Sequence, residues 1–300
     1  MPLDSTARVT AHLVSLIKPL ATRPGFVPTH LPGVRVLSAF GYVASSPLIY
    51  DPSLMIVVQG RKVACLGPRT FEYGAGHYLI QALSVPFQCE TFATPDLPLY
   101  GVAVDIDRNL LSELVPLMGC MDAEHCQLQT PESMSSVLID DGMRDSVERL
   151  LHCLQDPLEC KVMGAARVRE VIFSALRGPQ AGVLRALVEH HGQFARIAAS
   201  VNYLHEHYAE ALNVDTLARC ANMSTSTFHE HFKRSTLLSP VQYLKRLRLL
   251  KAQQLLAADG LGVAQVALKV GYQSASQFSR EYKRYFERNP VEEGVHLRAS

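Results

Sequence analysis

The stretch LARCANMSTSTFHEHFKR at residues 217–234 is repeated, with substitutions, as VALKVGYQSASQFSREYKR at residues 266–284. Each copy places two short amphipathic segments on either side of a polar break, which is typical of two helices that meet at a tight turn. Ser224 and Ser274 stand where an N-cap side chain would accept a hydrogen bond from the second helix. The sequence therefore predicts two helix-turn-helix units, at about 214–235 and 263–286.

The second segment of each copy has two aromatic residues four positions apart, which therefore share one helix face and are expected to face a core. The opposite face carries short polar and cationic side chains that suit a DNA groove. In the first copy these are Ser226, His229, Glu230 and Lys233, and in the second they are Ser276, Ser279, Arg280 and Lys283. Each copy ends in a basic pair, whose second members Arg234 and Arg284 complete the candidate DNA-binding residues.

The stretch PVQYLKRLRLLKAQQLLA at residues 240–257 joins the two copies. Its leucines recur at helical spacing and its lysines and arginines supply charge, which favours one continuous helix. At about 1.5 Å per residue, this helix is roughly 27 Å long. That length is comparable to the ~34 Å turn of B-DNA, so both second helices could enter successive major grooves on one side of a duplex. We therefore predict that one chain reads two adjacent half-sites.

Residues 193–300 resemble the DNA-binding domain of the AraC/XylS family of bacterial transcription regulators. The resemblance rests on FHxHFK in the first unit, SPxQYLKxLRL in the joining helix and VGYxSxSQFSREYKR in the second unit. It implies that both second helices enter the major groove. It also implies that six side chains face bases or backbone: Ser226, His229, Glu230, Ser276, Gln277 and Arg280.

Two positions depart from the family pattern. Glu230 stands where many relatives carry a basic residue. Its carboxylate could accept a hydrogen bond from cytosine N4, repel phosphate, or pair with Arg234 four residues further on. Leu237 stands where relatives often have glycine, in the turn before Pro240. Both positions affect how strongly the first helix-turn-helix unit distinguishes between DNA sequences.

Charge is distributed unevenly along a chain whose net charge is only +1. From residue 193 onward there are 14 Lys and Arg against 9 Asp and Glu, a net charge of +5, whereas the remainder has 15 against 19, a net charge of −4. A basic C-terminal part suits double-stranded DNA as a partner. With 300 residues, 48% of them hydrophobic, the chain is long enough for two domains with separate cores.

The sequence contains no run of about 18 to 20 apolar residues that could span a membrane, and its N-terminus does not have the pattern of a secretory signal. Its seven cysteines are odd in number, irregularly spaced and without a C-x-x-C pair, which argues against a disulfide framework and a zinc site. We therefore expect a cytoplasmic protein with reduced thiols and no membrane partner.

The N-terminal half alternates short apolar runs with turn signals, which predicts a β-sandwich or β-barrel. The runs are residues 34–37, 54–58, 78–83 and 99–104, and the turn signals are Ser45-Ser46-Pro47, Gly60-Arg61, Gly67-Pro68 and Gly74-Ala75-Gly76. The segment FEYGAGHYLIQALSVPFQCE resembles the N-terminal domain of one AraC-type subgroup, a cupin-like β-barrel. This resemblance implies a domain that binds a small-molecule effector or supports dimerisation.

Two apolar stripes follow, from Met143 to Leu154 and from Leu158 to Leu176, with Gly178-Pro179 ending the second. They either cover the barrel or form part of a subunit interface. The predicted fold class is α+β. An effector-binding and dimerisation domain at 1–178 has a cupin-like β-barrel at about 30–110 and a helical dimerisation segment at about 135–178. A linker containing His190-His191-Gly192 leads to an all-α double helix-turn-helix domain at 193–300.

No residue cluster indicates a catalytic centre, a cofactor or a metal. His77 lacks the second histidine that a cupin metal strand would need, so we interpret it as structural or surface-exposed. The His-Glu-His triplets at 205–207 and 229–231 lack the i, i+4 histidine pair that one helix face requires, and His125 between Cys120 and Cys126 lacks a fourth ligand. Gly74-Ala75-Gly76 is not continued as a phosphate-binding loop.

We therefore predict a transcription regulator, not an enzyme, that binds DNA and responds to a small-molecule effector whose binding residues the sequence does not identify. We also expect that the protein activates transcription, with RNA polymerase as a further partner, and that it forms a homodimer. Repression of transcription is the alternative to activation. The competing hypotheses are a cupin-type metalloenzyme and an Ada-like DNA-repair protein fused to a helix-turn-helix domain. A third alternative is a regulator whose barrel binds no ligand and only docks to another protein.

Overall fold

A computed structural model describes residues 11–119, 131–189, 192–258 and 261–299. Two compact units are present: the first contains most residues up to Gly192, and the second contains Gln193–Ser300 together with the short segments Ser46–Ile49 and Val85–Gln88. The cluster of His125 with Cys120 and Cys126, and the dipeptide His190-His191 of the predicted linker, lie outside the described residues.

Ten strands form two sheets. The strands are β1 Gly25–Pro28, β2 Val34–Ala39, β3 Val43–Leu48, β4 Ser53–Gln59, β5 Arg61–Leu66, β6 Arg69–Gly74, β7 His77–Gln81, β8 Phe87–Phe92, β9 Leu99–Asp105 and β10 Met134–Leu138. They lie in the first unit except for the parts of β3 and β8 that fall within the two short segments of the second unit. A six-stranded sheet has the order β1-β2-β9-β4-β7-β10, and a four-stranded sheet has the order β3-β8-β5-β6. All pairings in the larger sheet are antiparallel, as is the β5–β6 pairing in the smaller one.

The four apolar runs of the N-terminal half form the centre of the larger sheet, as β2, β4, β7 and β9. Leu54, Ile56, Leu79, Val102 and Val104 are at most 1% exposed, because strands covered on both faces bury side chains of either orientation. Three of the predicted turns connect consecutive strands, β4–β5, β5–β6 and β6–β7.

The turn predicted at Ser45-Ser46-Pro47 is wrong, because these residues lie within β3. β3 is an edge strand of the four-stranded sheet. Proline has no N–H to donate, and an edge strand leaves one side unpaired, so Pro47 fits there. The Ser-Ser-Pro pattern therefore marked an edge strand and not a turn.

Helices complete the first unit: α1 covers residues 11–17, followed by α2 Arg108–Met118, α3 Asp141–Cys153, α4 Pro157–Arg177 and α5 Ala181–Ala186. Asp140 and Asp156 cap α3 and α4 by accepting hydrogen bonds from backbone N–H groups. The stripe on α3 and the C-terminal half of the stripe on α4 are buried. Leu158 and Val162, near the start of α4, are 68% and 69% exposed. α5 occupies part of the region expected to be a linker.

The part of the second unit that begins at Gln193 is helical. Its helices are α6 Gln193–His207, α7 Val214–Cys220, α8 Thr225–Thr236, α9 Pro240–Ala258, α10 Val263–Lys269, α11 Ala275–Phe286 and α12 Pro290–Ala299. The α+β fold class is thus confirmed, and the helix predicted at 240–257 is α9. Among the described residues, no helix is both long enough and apolar enough to cross a membrane.

Candidate DNA-binding interface

The first helix-turn-helix unit consists of α7 and α8. The turn closes when the N–H of Met223 donates to the carbonyl of Ala218, with an N···O distance of 3.0 Å. Asn222 has a φ of 51°, in the left-handed region that asparagine tolerates better than most residues. Ser224 begins α8, and its side chain accepts a hydrogen bond from the Thr227 N–H at 3.3 Å.

The second unit, α10 and α11, repeats this geometry. Tyr272 N–H donates to the carbonyl of Ala267 at 2.9 Å, and Ser274 caps α11 by accepting from the Gln277 N–H at 3.3 Å. Gly271 has a φ of 85°, and a Cβ at this position would lie 2.5 Å from the carbonyl oxygen of Ala209. Only glycine fits there. Both predicted helix-turn-helix units are therefore present.

Aromatic pairs fix the orientation of the two recognition helices, α8 and α11. Phe228, Phe232, Phe278 and Tyr282 are all 0% exposed. Their ring centroids are 5.3 Å apart in the first pair and 5.5 Å apart in the second. Each buried ring contributes about 1.5–3 kcal/mol, so rotating either helix about its axis would cost several kcal/mol. The opposite faces are therefore held toward solvent.

All ten candidate DNA-binding residues lie on these two helices with exposed side chains. They are Ser226, His229, Glu230, Lys233 and Arg234 on α8, and Ser276, Gln277, Arg280, Lys283 and Arg284 on α11. Ser279, which the helical periodicity also placed on this face, is partly exposed and donates to the Ala275 carbonyl within its own helix. The two exposed faces define what we call the α8 surface and the α11 surface.

Arg234 and Arg280 differ in their internal contacts. Arg234 donates to Gln193 Oε1 at 3.1 Å and contacts Nδ1 of the buried His231. Burial, together with the positive charge of Arg234, lowers the pKa of His231, which favours a neutral imidazole that can accept this hydrogen bond. Within residues 193–258 and 261–299, Arg280 has no hydrogen bond or ion pair. Its guanidinium is therefore available to an external acceptor.

Glu230 forms no ion pair with Arg234 in the part of the chain that the structure describes, because Arg234 is turned toward His231. Of the three alternatives for this carboxylate, internal pairing is the one that the geometry does not support. An exposed carboxylate on the α8 surface is left either to accept from a base or to repel phosphate.

Glu281 joins α11 to α9, a contact that sequence patterns did not identify. Its carboxylate accepts hydrogen bonds from Tyr272 Oη at 2.9 Å, Gln277 Nε2 at 3.2 Å and Lys245 Nζ at 3.2 Å. Burial acts to raise the pKa of Glu281, but these hydrogen bonds and the charge of Lys245 outweigh it, so the pKa is lowered. The ionised carboxylate thus fixes Gln277, a candidate DNA-binding residue, at the start of α11.

The joining helix α9 also holds the segment between α6 and α7 in place. Arg248 Nε donates to the carbonyl of Tyr208 and Arg248 Nη2 to that of Glu210, both at 2.7 Å. Tyr243 packs edge-on against Phe232 with a centroid separation of 5.4 Å, and its hydroxyl lies 2.8 Å from His205 Nε2. At about 1.5 Å per residue, the 19 residues of α9 span roughly 28 Å.

A buried polar cluster lies in the four-stranded sheet of the first unit. Lys62 on β5 is 4% exposed, donates to Thr91 Oγ1 at 2.8 Å and is the register partner of Tyr73 on β6. Tyr73 Oη lies 3.8 Å from Cys89 Sγ. Burial lowers the pKa of Lys62 and raises the pKa of Cys89 and Tyr73. Lys62 is thus a buried amine that donates to a neutral hydroxyl.

Three histidines of the His-Glu-His triplets contact other side chains: His205 contacts Tyr243, His207 pairs with Glu210 and His231 contacts Arg234. The structure does bring together three ligating groups that the sequence analysis did not consider, from His12, Glu148 and His152. No spacing pattern could have revealed them, because His12 lies far from the other two along the chain.

Known protein families match parts of both compact units of the chain. Residues 30–183 match the family described as the AraC-type transcriptional regulator N-terminus, and residues 217–292 match a helix-turn-helix domain. The activator RhaS of Escherichia coli strain SE11 is 33% identical over 96 residues, 32% of this chain and 34% of RhaS. RhaS of Enterobacter sp. strain 638 is 35% identical over 98 residues, 33% of this chain and 35% of that protein. The matched region thus spans about a third of the length of these curated relatives.

Solved structures share the fold over most of the chain. Apo ToxT from Vibrio cholerae strain SCE256 superposes with a TM-score of 0.57 and 10% identity, over 92% of this chain and 100% of ToxT. ToxT of the same strain bound to an unsaturated fatty acid gives a TM-score of 0.57 and 11% identity, over 93% of this chain and 98% of ToxT. These identities carry information on fold alone.

The matches favour a regulator over a cupin-type metalloenzyme or a DNA-repair protein, because they cover the N-terminal unit and the paired helix-turn-helix units as parts of regulators. The match at residues 30–183 covers more than half of the 300 residues. The chain therefore belongs to the AraC/XylS family of transcription regulators and contains a helix-turn-helix domain in its C-terminal part.

Proposed function

We propose that this regulator reads two adjacent major-groove half-sites, one with the α8 surface and one with the α11 surface. The observation that carries the proposal is the duplicated geometry: each unit has the same turn, the same serine cap and the same buried aromatic pair behind an exposed polar face. The α9 helix, roughly 28 Å long, spaces the two units on the scale of one ~34 Å turn of B-DNA.

Selection of bound genomic fragments by the full-length protein tests this proposal. The enriched fragments should contain two half-sites about 10 base pairs apart, on one face of the duplex. Inserting five base pairs between them moves one half-site to the opposite face, and we expect it to weaken binding strongly. A single conserved half-site, or binding that is indifferent to the insertion, would contradict two-site reading.

We further propose that the N-terminal compact unit binds a small organic anion. The binding site is the buried polar cluster of Lys62, Tyr73, Cys89 and Thr91. Lys62 is enclosed and has a neutral hydroxyl as its hydrogen-bond partner, and an anionic group would compensate its charge. The structurally similar ToxT has been solved with an unsaturated fatty acid, which carries a carboxylate. A carboxylate effector fits both observations.

Thermal unfolding with a panel of carboxylates, including unsaturated fatty acids, tests the effector site. A binding carboxylate should raise the midpoint temperature of the wild type and leave that of Lys62→Met unchanged. Methionine is a suitable replacement because it fills a similar volume without charge. Equal shifts in both proteins would place the carboxylate elsewhere.

We propose that the start of α4 is a dimer interface and that the dimer activates transcription. Leu158 and Val162 are four residues apart and about two-thirds exposed, and Met163 beside them is 38% exposed, which is typical of an apolar patch that a partner covers. The similar RhaS proteins are transcriptional activators, which supports activation as the direction of regulation.

Sedimentation of Leu158→Glu tests the interface. The matched control is Leu138→Glu, because Leu138 is a 72% exposed leucine of the same unit that lies on β10 and not on α4. We expect Leu158→Glu to be monomeric and Leu138→Glu to remain dimeric. A wild type that is monomeric at micromolar concentration would refute the dimer.

A further inference from the structure

Two histidines and a glutamate converge on one side of the first unit. His12 lies on α1, and Glu148 and His152 lie four residues apart on α3, so the latter two project from the same helix face. His12 Nε2 is 3.2 Å from Glu148 Oε1, and the centroids of the two imidazole rings are 5.7 Å apart. The three ligating atoms all lie within 4.8 Å of one another.

This is a donor set that Zn²⁺ and similar ions prefer. Metal–ligand bonds of about 2.0–2.2 Å at tetrahedral angles place neighbouring ligand atoms roughly 3.4 Å apart. The separation of 3.2 Å between His12 Nε2 and Glu148 Oε1 already meets that requirement. The other ligand atoms are already within 4.8 Å of one another, and the exposed imidazole rings of both histidines have room to turn toward a shared ion. Three protein ligands leave the fourth position open to water.

The backbones that carry the ligands are held in place by packing. On α1, Leu13 and Ile17 are 8% and 0% exposed, and on α3, Leu151 is 0% exposed. Gln155 Nε2, just beyond α3, donates to the carbonyl of Leu16 at 2.7 Å, so the end of α1 is also tied to the end of α3. An ion would therefore meet ligands whose main chains are already positioned, which lowers the entropic cost of binding.

We propose that His12, Glu148 and His152 form a binding site for a divalent transition-metal ion of the zinc type, which joins α1 to α3. The proposal goes beyond DNA and effector binding, and it replaces the expectation from the sequence that the chain has no metal site. That expectation considered only ligands close together in sequence, whereas His12 reaches Glu148 across 136 positions.

Titration of the full-length protein with Co²⁺ and Zn²⁺ tests the site. We expect one ion per chain, with the visible absorption of four-coordinate Co²⁺ and without the near-ultraviolet band of a cobalt–thiolate bond, since the ligands are nitrogen and oxygen. His12→Gln and His152→Gln should each weaken binding about 100-fold or more, because losing even an outer partner of a metal ligand costs 10- to 100-fold.

His30→Gln is the matched control, because His30 is exposed and lies outside the cluster. It should bind metal as the wild type does. Zn²⁺ should raise the midpoint of thermal unfolding of the wild type and His30→Gln but not that of the two ligand variants. Circular dichroism without metal checks that all variants fold. No stoichiometric binding, a thiolate band, or unchanged affinity in His152→Gln would overturn the proposal.

Discussion

Replacing Arg280 with alanine should remove base reading, whereas replacing Lys283 should remove a phosphate contact. Both side chains are exposed on the α11 surface, and among the described residues of the helical domain no hydrogen bond of Arg280 would have to break before it contacted a base. Its full bidentate contribution to a guanine, about 1–3 kcal/mol, is therefore available. At 1.4 kcal/mol per tenfold, Arg280→Ala should lose roughly 5- to 150-fold in affinity at the preferred site.

The comparison variant, Lys283→Ala, should change DNA binding in a different way. Lys283→Ala should weaken all sequences alike and reduce the salt slope by about 0.9, the value for one released counterion. Between 50 and 200 mM salt, that change corresponds to roughly a 3.5-fold smaller loss of affinity than in the wild type. Arg280→Ala should instead relax selectivity at one or two base pairs.

Binding of both variants to a set of single-base-substituted sites, measured at two salt concentrations, separates these effects. Equal losses at every site for Arg280→Ala would refute base reading by this residue. Circular dichroism should show unchanged folding in both, because exposed substitutions without packed contacts usually alter the free energy of unfolding by less than about 0.5 kcal/mol.

Three further predictions concern the stability of the second unit. Leu237 has a left-handed φ of 58°, so Leu237→Gly should be more stable to urea than Leu237→Ala by about 1 kcal/mol, and equal stabilities would show that this backbone is unstrained. Ser274→Ala should lose the α11 cap and cost about 1 kcal/mol of unfolding free energy, while Ser276→Ala should lie within 0.5 kcal/mol of the wild type. The pKa of Glu281 is lowered in the folded state, so its stabilising effect is present above the unfolded pKa of about 4.3 and is lost as pH falls through the folded value. The free energies of unfolding of wild type and Glu281→Gln should therefore converge in acid, and a gap that is constant with pH would contradict this role for the carboxylate.

The helix-turn-helix units could be predicted from sequence because their determinants are local. The aromatic pairs, the serine caps and the polar break act within one or two helical turns, where spacing decides which side chains share a face. The same holds for the apolar strands of the larger sheet, whose runs are buried on both faces. All ten candidate DNA-binding residues are exposed on α8 and α11 for this reason.

Contacts between distant segments were decided by the tertiary structure. Periodicity indicates which face of a helix is apolar, but it does not say what covers that face, and so Leu158 and Val162 are exposed while the C-terminal half of their stripe is buried. Likewise, the Ser-Ser-Pro signal could not distinguish a turn from an edge strand, since the difference is whether a neighbouring strand pairs on one side only.

Some of the chemically important side-chain arrangements follow from the sequence, and others depend on the tertiary structure. Residue types and their spacing along α8 and α11 were sufficient to predict which side chains are exposed opposite the buried aromatic pairs. The pairing of Lys245 with Glu281, the enclosure of Lys62, and the approach of His12 to Glu148 depend on packing between elements. Such contacts depend on side chains far apart in sequence, whose separation only the folded chain sets, so the tertiary structure alone brought these groups together.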